Sequence, residues 1–309
     1  MSRLSVESGP AGRLAEMRKA GAALDADRLL DFFADRGREL PWRRDDAGPW
    51  AVLVSEFMLQ QTPVVRVLPV FRAWMSRWPA PADLAADSLG DAVRAWGRLG
   101  YPRRALRLHA AATTIAGEHA GAVPGTVHEL LQLPGVGEYT ARAVAAFAFG
   151  VRTPVVDTNV RRVLSRAVRG QNSIREAATP IDRRELEALL PAEPAVAARF
   201  SAAVMELGAL VCVAAGPRCS DCPIADRCAW RAAGYPGAAA PRAAQPWAGT
   251  DRQVRGKVLA VLRDAPGAVS PAEVNLVWPE EEQRIRCIAS LLADGLAVKL
   301  PDGRLALPG

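Results

Sequence analysis

Four of the five cysteines, Cys212, Cys219, Cys222 and Cys228, fall within seventeen residues of one another in the pattern C-x6-C-x2-C-x5-C. The loop follows an apolar helix-like run, AAVMELGALVC, so its four thiols must close on one another or around something. A disulfide framework suits an oxidising compartment. The opening residues MSRLSVESGP lack the apolar core of a signal peptide, and no apolar run approaches the roughly 18 residues that span a bilayer, so a cytoplasmic protein without membrane contact is expected. A metal centre is therefore the better reading. Structural zinc usually takes two tight C-x2-C pairs or a Cys/His mixture, and here one pair is tight and no histidine lies nearby. An iron-sulfur cluster accepts wider loops between its four thiolates. Spacing favours iron-sulfur and leaves zinc open. Cys287 lies apart and is expected to be a buried structural thiol.

From about Leu24 to residue 230, apolar positions recur every three to four residues and Pro or Gly punctuates them, which predicts an all-α core of short helices. Residues 1–23 show no firm periodicity and are expected to be a disordered leader. Residues 231–250 (RAAGYPGAAAPRAAQPWAGT) have a linker's composition. Beyond them, 251–265 and 281–294 are predicted helical, and Pro301-Asp302-Gly303 is a turn signal between two short strands. Helices followed by a hairpin predict a small winged-helix-like module at 251–309, for which docking or capping is at least as good a role as DNA contact. With 309 residues, half of them hydrophobic and 23% charged, the chain suits one large or two ordinary domains. Its net charge of +6 permits a nucleic-acid partner without requiring one.

Three further segments carry chemistry. Leu133-Pro134-Gly135-Val136-Gly137 joins a short helix at 127–131 to a helix containing Thr140–Ala146. Glycines in such a turn let a backbone approach a ligand, and the following helix presents free N–H groups, so a helix-hairpin-helix gripping a DNA phosphate through Gly135, Val136 and Gly137 is favoured over a plain interhelical turn. In WAVLVSEFMLQQ, Glu56 is the single acid among apolar residues, with Gln60 one turn on and Gln61 beside it. A carboxyl so placed is expected to hold its proton as a general acid must. Asp157 follows Val155 and Val156 and precedes Thr158, Asn159 and the helix VRRVLSRAVR. As a helix cap it is expected to stay ionised, and the two carboxyl environments together resemble an acid and an anionic stabiliser.

Taken in order, S-E-F-M-L-Q-Q-T at 55–62, L-P-G-V-G at 133–137, V-D-T-N-V-R-R-V at 156–163 and the cysteine loop resemble the adenine DNA glycosylases of the MutY type, within the helix-hairpin-helix superfamily that also contains endonuclease III. The likeness covers roughly residues 24–230. It implies a six-helix lobe at about 50–153 and a [4Fe-4S] cluster lobe formed by about 24–49 and 154–230. It also implies removal of adenine mispaired with 8-oxoguanine or guanine in double-stranded DNA, the base being flipped into a pocket between the lobes. By the same likeness Glu56 protonates the adenine ring, Asp157 stabilises the oxocarbenium-like sugar and Asn159 supports that step. Arg38, Trp42 and Arg43 would line the adenine pocket, and Gln61, Leu99 and Tyr101 would wedge into the duplex. Bifunctional relatives carry a lysine where this chain has Tyr139, and its three lysines, Lys19, Lys257 and Lys299, lie elsewhere, so a monofunctional enzyme is expected.

Two departures stand out. Ala202 replaces a Glu or Gln common in the family, and residues 251–309 are too short for the family's usual Nudix-like domain, so weaker preference for 8-oxoguanine over guanine is expected. A thymine mismatch glycosylase of the same superfamily and a non-catalytic DNA-binding protein are the alternatives. The Gln60-Gln61 pair favours adenine, and the intact Glu56 and Asp157 favour an enzyme. A monomer is expected. Arg94, Arg98, Arg103, Arg104 and Arg107 around the wedge, and Arg161, Arg162, Arg166 and Arg169 after Asp157, give the positive charge a place on DNA.

Overall fold

The computed structural model describes residues 23–172, 178–237 and 247–309. The expected leader up to residue 22 and residues 238–246 of the expected linker lie outside them. In chain order the helices are α1 (Ala26–Arg36), α2 (Pro49–Leu59), α3 (Val64–Arg77), α4 (Pro81–Ala86), α5 (Leu89–Trp96), α6 (Arg103–Glu118), α7 (Val127–Leu130) and α8 (Glu138–Phe149). There follow α9 (Thr158–Val163), α10 (Pro180–Leu189), α11 (Pro194–Leu210), α12 (Ala229–Ala232), α13 (Asp251–Asp264), α14 (Pro271–Asn275) and α15 (Glu281–Ala293), then strands β1 (Val298–Lys299) and β2 (Leu305–Ala306). Local chemistry sets many of these boundaries. Asp25, Ser88, Asp157, Thr179, Thr250 and Ser270 each accept a backbone N–H from the first turn of the helix they precede, satisfying a donor that the helix itself leaves open.

The chain divides into two compact units, Met1–Arg44 with Ala141–Pro241, and Asp45–Thr140 with Arg242–Gly309. In the first, Leu29 and Phe32 of α1, Val160 and Val163 of α9, Leu186 of α10, and Phe200, Val204 and Leu207 of α11 form the core. A π-helical turn, Leu164–Val168, continues α9 into this core. In the second unit Trp74 packs edge-on against Trp78 and Trp96. The Trp78 indole N–H, buried with its ring, reaches Asp87 Oδ2 at 2.8 Å.

Residues 251–309 follow the order of a winged helix. Val269 bridges to Leu305, which also lies in the β1–β2 hairpin, and the Pro301-Asp302-Gly303 turn falls between the strands as expected. Sequence periodicity did not predict α14 or the Val269 bridge. The module packs on α5 and α6 of its own unit: Arg94 donates to the Ala265 carbonyl at 3.0 Å, Arg263 donates to the Gly97 carbonyl, and Arg103 pairs with Asp294 at 3.2 Å. Gly90 meets the chain's last residues so closely that a Cβ there would lie 2.5 Å from the Pro308 carbonyl oxygen.

Candidate active site and cysteine centre

Helix α2 starts on Pro49 and is apolar all round, so it is buried on every side from Val52 to Met58. Glu56, its one charged residue, is 5% exposed. The helix stops at Gln60; Gln61 is in the left-handed region at φ 54° and Pro63 prevents continuation. Gln61 is thereby turned outward, while Gln60 Nε2 lies 3.4 Å from Thr140 Oγ1 in the first turn of α8.

Tyr101 is also left-handed, at φ 47°, and 48% exposed. A non-glycine residue in this region is strained by about 1–2 kcal/mol, and such strain persists only where the surroundings over-determine it. Arg104 supplies that constraint. Buried on α6, it donates to the carbonyls of Phe57, Met58 and Gln60 at 2.8, 3.1 and 2.6 Å, and to Thr62 Oγ1 and the Gly100 carbonyl at 3.0 Å each. One guanidinium thus fixes both turns that expose Gln61 and Tyr101, and burial pushes its pKa down to about 10. This corrects its assignment to a DNA-facing patch. Leu99 departs from expectation as well: it is 3% exposed, inside the turn rather than projecting from it. Of the five arginines grouped there, Arg94 and Arg103 are engaged with the C-terminal module, while Arg98 and Arg107 are exposed.

The expected hairpin lies between α7 and α8. Val136 is buried and anchors it, whereas Gly135 and Gly137 are exposed. Gly135 has φ 79°, and a Cβ there would lie 2.6 Å from the Arg107 Cβ, so the turn requires glycine. Tyr139 follows, half-buried in the first turn of α8.

In the other unit Asp157 caps α9, accepting the Val160 N–H and the Asn159 Nδ2 donor at 2.7 Å each. Capping was expected to keep it ionised, but burial outweighs these hydrogen bonds and the nearby Arg162 charge, and pushes its carboxyl above the ordinary value. Asn159 Oδ1 accepts from Arg162 Nη2 at 2.7 Å; the same guanidinium donates to the carbonyls of Gly208 and Cys212 at 2.6 Å each. Arg166 donates to the Val213 and Ala214 carbonyls and lies 3.6 Å from Cys212 Sγ. Arg161, Arg162 and Arg166 are therefore buried framework, and Arg169 pairs with Asp182 and Glu185. None of the four forms the solvated basic stripe expected after Asp157.

Helix α11 passes Asn159 so closely that a Cβ at Gly208 would lie 2.7 Å from the Asn159 Cβ. Gly208→Ala is expected to destabilise the protein by about 1–3 kcal/mol and, with Asn159 supporting Asp157 as the family resemblance implies, to slow the reaction by moving Asn159 against Asp157. Thermal melting and single-turnover rates measure both effects, and an unchanged rate in a melted-down variant would separate packing from catalysis.

Glu206, two residues earlier, was missed by sequence reasoning although it shares the signature of Glu56, a lone acid in an apolar helix. It is fully buried. Arg38 Nε and Nη2 reach it at 2.6 and 2.9 Å, the Arg38 backbone N–H at 3.0 Å, and Arg43 Nη2 at 2.9 Å. Burial would raise its pKa, but the two arginines prevail and hold it at about 2. Trp42, between them in sequence, is buried in the short 3₁₀ turn Pro41–Arg43.

Cys212 lies two residues beyond the end of α11, Cys219 opens one single-turn 3₁₀ helix, and Cys222 and Cys228 each follow such a turn. All four line one cavity with Leu207, Val211, Ile224 and Trp230. Burial pushes the Cys212 thiol up and Cys222 up to about 12. Among the described residues no three His, Cys, Asp or Glu side chains stand at the spacing of ligands to a single ion.

The family described as "HhH-GPD superfamily base excision DNA repair protein" matches residues 54–187, which include Glu56, the hairpin and Asp157. The class that fold and match define is a helix-hairpin-helix DNA glycosylase of base-excision repair. An adenine DNA glycosylase of Mycobacterium tuberculosis is 53% identical over 283 residues, covering 91% of this chain and 92% of the relative. One from Mycolicibacterium smegmatis is 52% identical over 285 residues, covering 91% and 95%. The chain belongs to the adenine DNA glycosylase family. Among solved structures, a thermostable thymine-DNA glycosylase has the same fold, with a TM-score of 0.61 at 23% identity over 70% of this chain and 99% of that one. No helix of the described residues is long and apolar enough to cross a membrane.

Proposed function

We propose that this enzyme removes adenine mispaired with guanine or 8-oxoguanine from double-stranded DNA, acting as a monomer in the cytoplasm at the nucleoid. The observation that carries this reading is Glu56, a single carboxyl held on a helix buried from Val52 to Met58. Glu56 donates a proton to a ring nitrogen of adenine. The glycosidic bond then breaks with its electron pair going to the base, and the sugar acquires oxocarbenium character. Asp157, fixed by Val160 and Asn159, opposes that charge with its carboxylate. Water adds to the sugar carbon and passes a proton to the Glu56 carboxylate, which restores the acid and leaves an abasic site. Arg38, Trp42 and Arg43 shape the adenine pocket, with Glu206 fixing both guanidinium groups. Gln60, Gln61 and Tyr101 stand at the duplex, and the Gly135–Gly137 hairpin holds a phosphate.

Cys212, Cys219, Cys222 and Cys228 would hold a [4Fe-4S] cluster. All four thiols line one cavity with Leu207, Val211, Ile224 and Trp230, and a donor set of four cysteines without histidine suits such a cluster. Bound there, the cluster would fix a loop whose carbonyls already anchor Arg162 and Arg166.

With Tyr139 at the position of the bifunctional lysine, the product strand is expected to break at the excised adenine only after alkali. Strand cleavage without alkali, together with borohydride trapping of the wild-type enzyme on substrate DNA, would overturn the monofunctional reading.

A further inference from the structure

Arg252 of the C-terminal module lies against the exposed ring of Tyr101, and Trp247, just before the module, lies against Arg252. The Arg252 guanidinium carbon lies 5.2 Å from the centre of the Tyr101 ring and 5.2 Å from that of Trp247, so one cation is stacked on two rings. Arg104 lies 5.5 Å from the Tyr101 ring centre, which extends the series to four side chains. Trp247 is 52% exposed, a large apolar surface to leave in water.

Its turn is built firmly. Thr250 Oγ1 donates to the Trp247 carbonyl at 2.8 Å and caps α13 through Gln253. The Gln253 side chain accepts the Gly249 N–H at 2.8 Å, and Gln283 Nε2 from α15 donates to the Gly249 carbonyl at 2.9 Å. The exposed ring is therefore held in place by the module rather than carried on a loose end.

Arg252 differs from the module's other arginines. Arg255 pairs with Asp294, Arg263 donates to the Gly97 carbonyl, Arg284 to Asn275 and the Trp278 carbonyl, Arg286 to Asp251, and Arg304 to Asp302. Arg252 makes no hydrogen bond or ion pair among the described residues. Its planar face is stacked and its N–H fork is left open. Exposed aromatic faces beside a guanidinium with free donors match the chemistry of a nucleic-acid strand: bases stack on rings and on guanidinium planes, and a fork of N–H groups meets phosphate or a base edge.

We propose that Tyr101, Arg252 and Trp247 form one stacking surface through which the C-terminal module binds DNA. It takes a nucleobase beside the mispair and raises affinity for mispaired over fully paired duplex. The proposal rests on the reading of Tyr101 as a residue that enters the duplex. It gives residues 251–309 and the turn before them a part in substrate recognition rather than docking alone.

The test uses the full chain and a duplex carrying a non-hydrolysable 2′-fluoro-adenosine opposite 8-oxoguanine, with a fully paired duplex beside it. Trp247→Ala and Arg252→Ala are each expected to weaken mispair binding by about fivefold or more, the low end of an aromatic–base stack, with less effect on the paired duplex. Arg252→Lys keeps the charge and loses the plane, and is expected to lose most of the same affinity. Both side chains are exposed, so melting temperatures close to the parent are expected. Smaller losses in both alanine variants, or full binding by Arg252→Lys, overturn the proposal. Tyr101→Ala reports on the wedge separately: parental discrimination from that variant overturns the wedge reading, whatever Trp247 and Arg252 do.

Discussion

Glu56→Gln protein is expected to bind mispaired duplex as tightly as the parent and to release adenine about 10²–10⁴-fold more slowly, the range that a positioned general acid supplies. The substitution keeps the size and shape of a side chain buried on α2 among Val52, Leu53, Phe57 and Met58. Packing therefore changes little, and the loss falls on the proton alone. Without it, adenine must leave as an anion. Quenched-flow single-turnover rates separate this from binding, which anisotropy measures on the same duplex. Parallel losses in binding and rate would instead make Glu56 a structural residue.

Asp157→Asn is expected to cost at least about 100-fold in excision, because a neutral amide cannot oppose the charge that develops on the sugar. Its effect on stability has a definite sign with pH. Burial raises the folded-state pKa of Asp157 above the unfolded value. The carboxyl therefore contributes stability that is fully present below its unfolded pKa, near 3.9, and lost as pH rises through the folded pKa. Asparagine has no such dependence. It still caps α9 through its carbonyl oxygen, though the Asn159 amide loses an acceptor, which gives an offset that does not vary with pH. Urea unfolding of the two proteins from about pH 4, close to the unfolded pKa, upward is thus expected to show their difference moving in favour of the asparagine variant as pH rises. Movement the other way would mean that the hydrogen bonds from Val160 and Asn159 outweigh burial. The same residue is then a cost to the fold and a requirement of the reaction, a pairing common at active sites.

Which of these features could be read from the sequence depends on whether their physics is local. Glu56 stood out because an acid amid eight apolar neighbours is anomalous within a single helix. The cysteine loop, the Gly135 turn and the Pro301-Asp302-Gly303 hairpin are short segments whose residue types admit few conformations. Asp157 was legible as a cap, since a cap concerns only the next three residues. Its burial was not, because that depends on how deeply α9 sits against α11, a contact set by Gly208.

The arginines misled for the same reason. A run such as Arg161, Arg162, Arg166 reads as a solvated basic face until acceptors are found for it. For Arg162 and Arg166 those acceptors, the carbonyls of Gly208, Cys212, Val213 and Ala214, lie at the end of α11 and in the cysteine loop, far along the chain. Arg104 likewise satisfies the open carbonyls at the end of α2. Guanidinium groups can be buried wherever helix ends leave carbonyls without donors, and sequence spacing does not reveal which ends will meet. The Tyr101, Arg252 and Trp247 surface was illegible in the same way, since the module's docking on α5 and α6 creates it.

The most direct measurement is single-turnover excision by the parent protein on four duplexes, with adenine or thymine placed opposite guanine or 8-oxoguanine. Adenine is expected to be released from both mispairs, with alkali needed to break the strand, and thymine to remain. Release of thymine from its pair with guanine at a rate matching or exceeding adenine would contradict adenine specificity, and release of neither base by folded, cluster-loaded protein would contradict catalysis altogether.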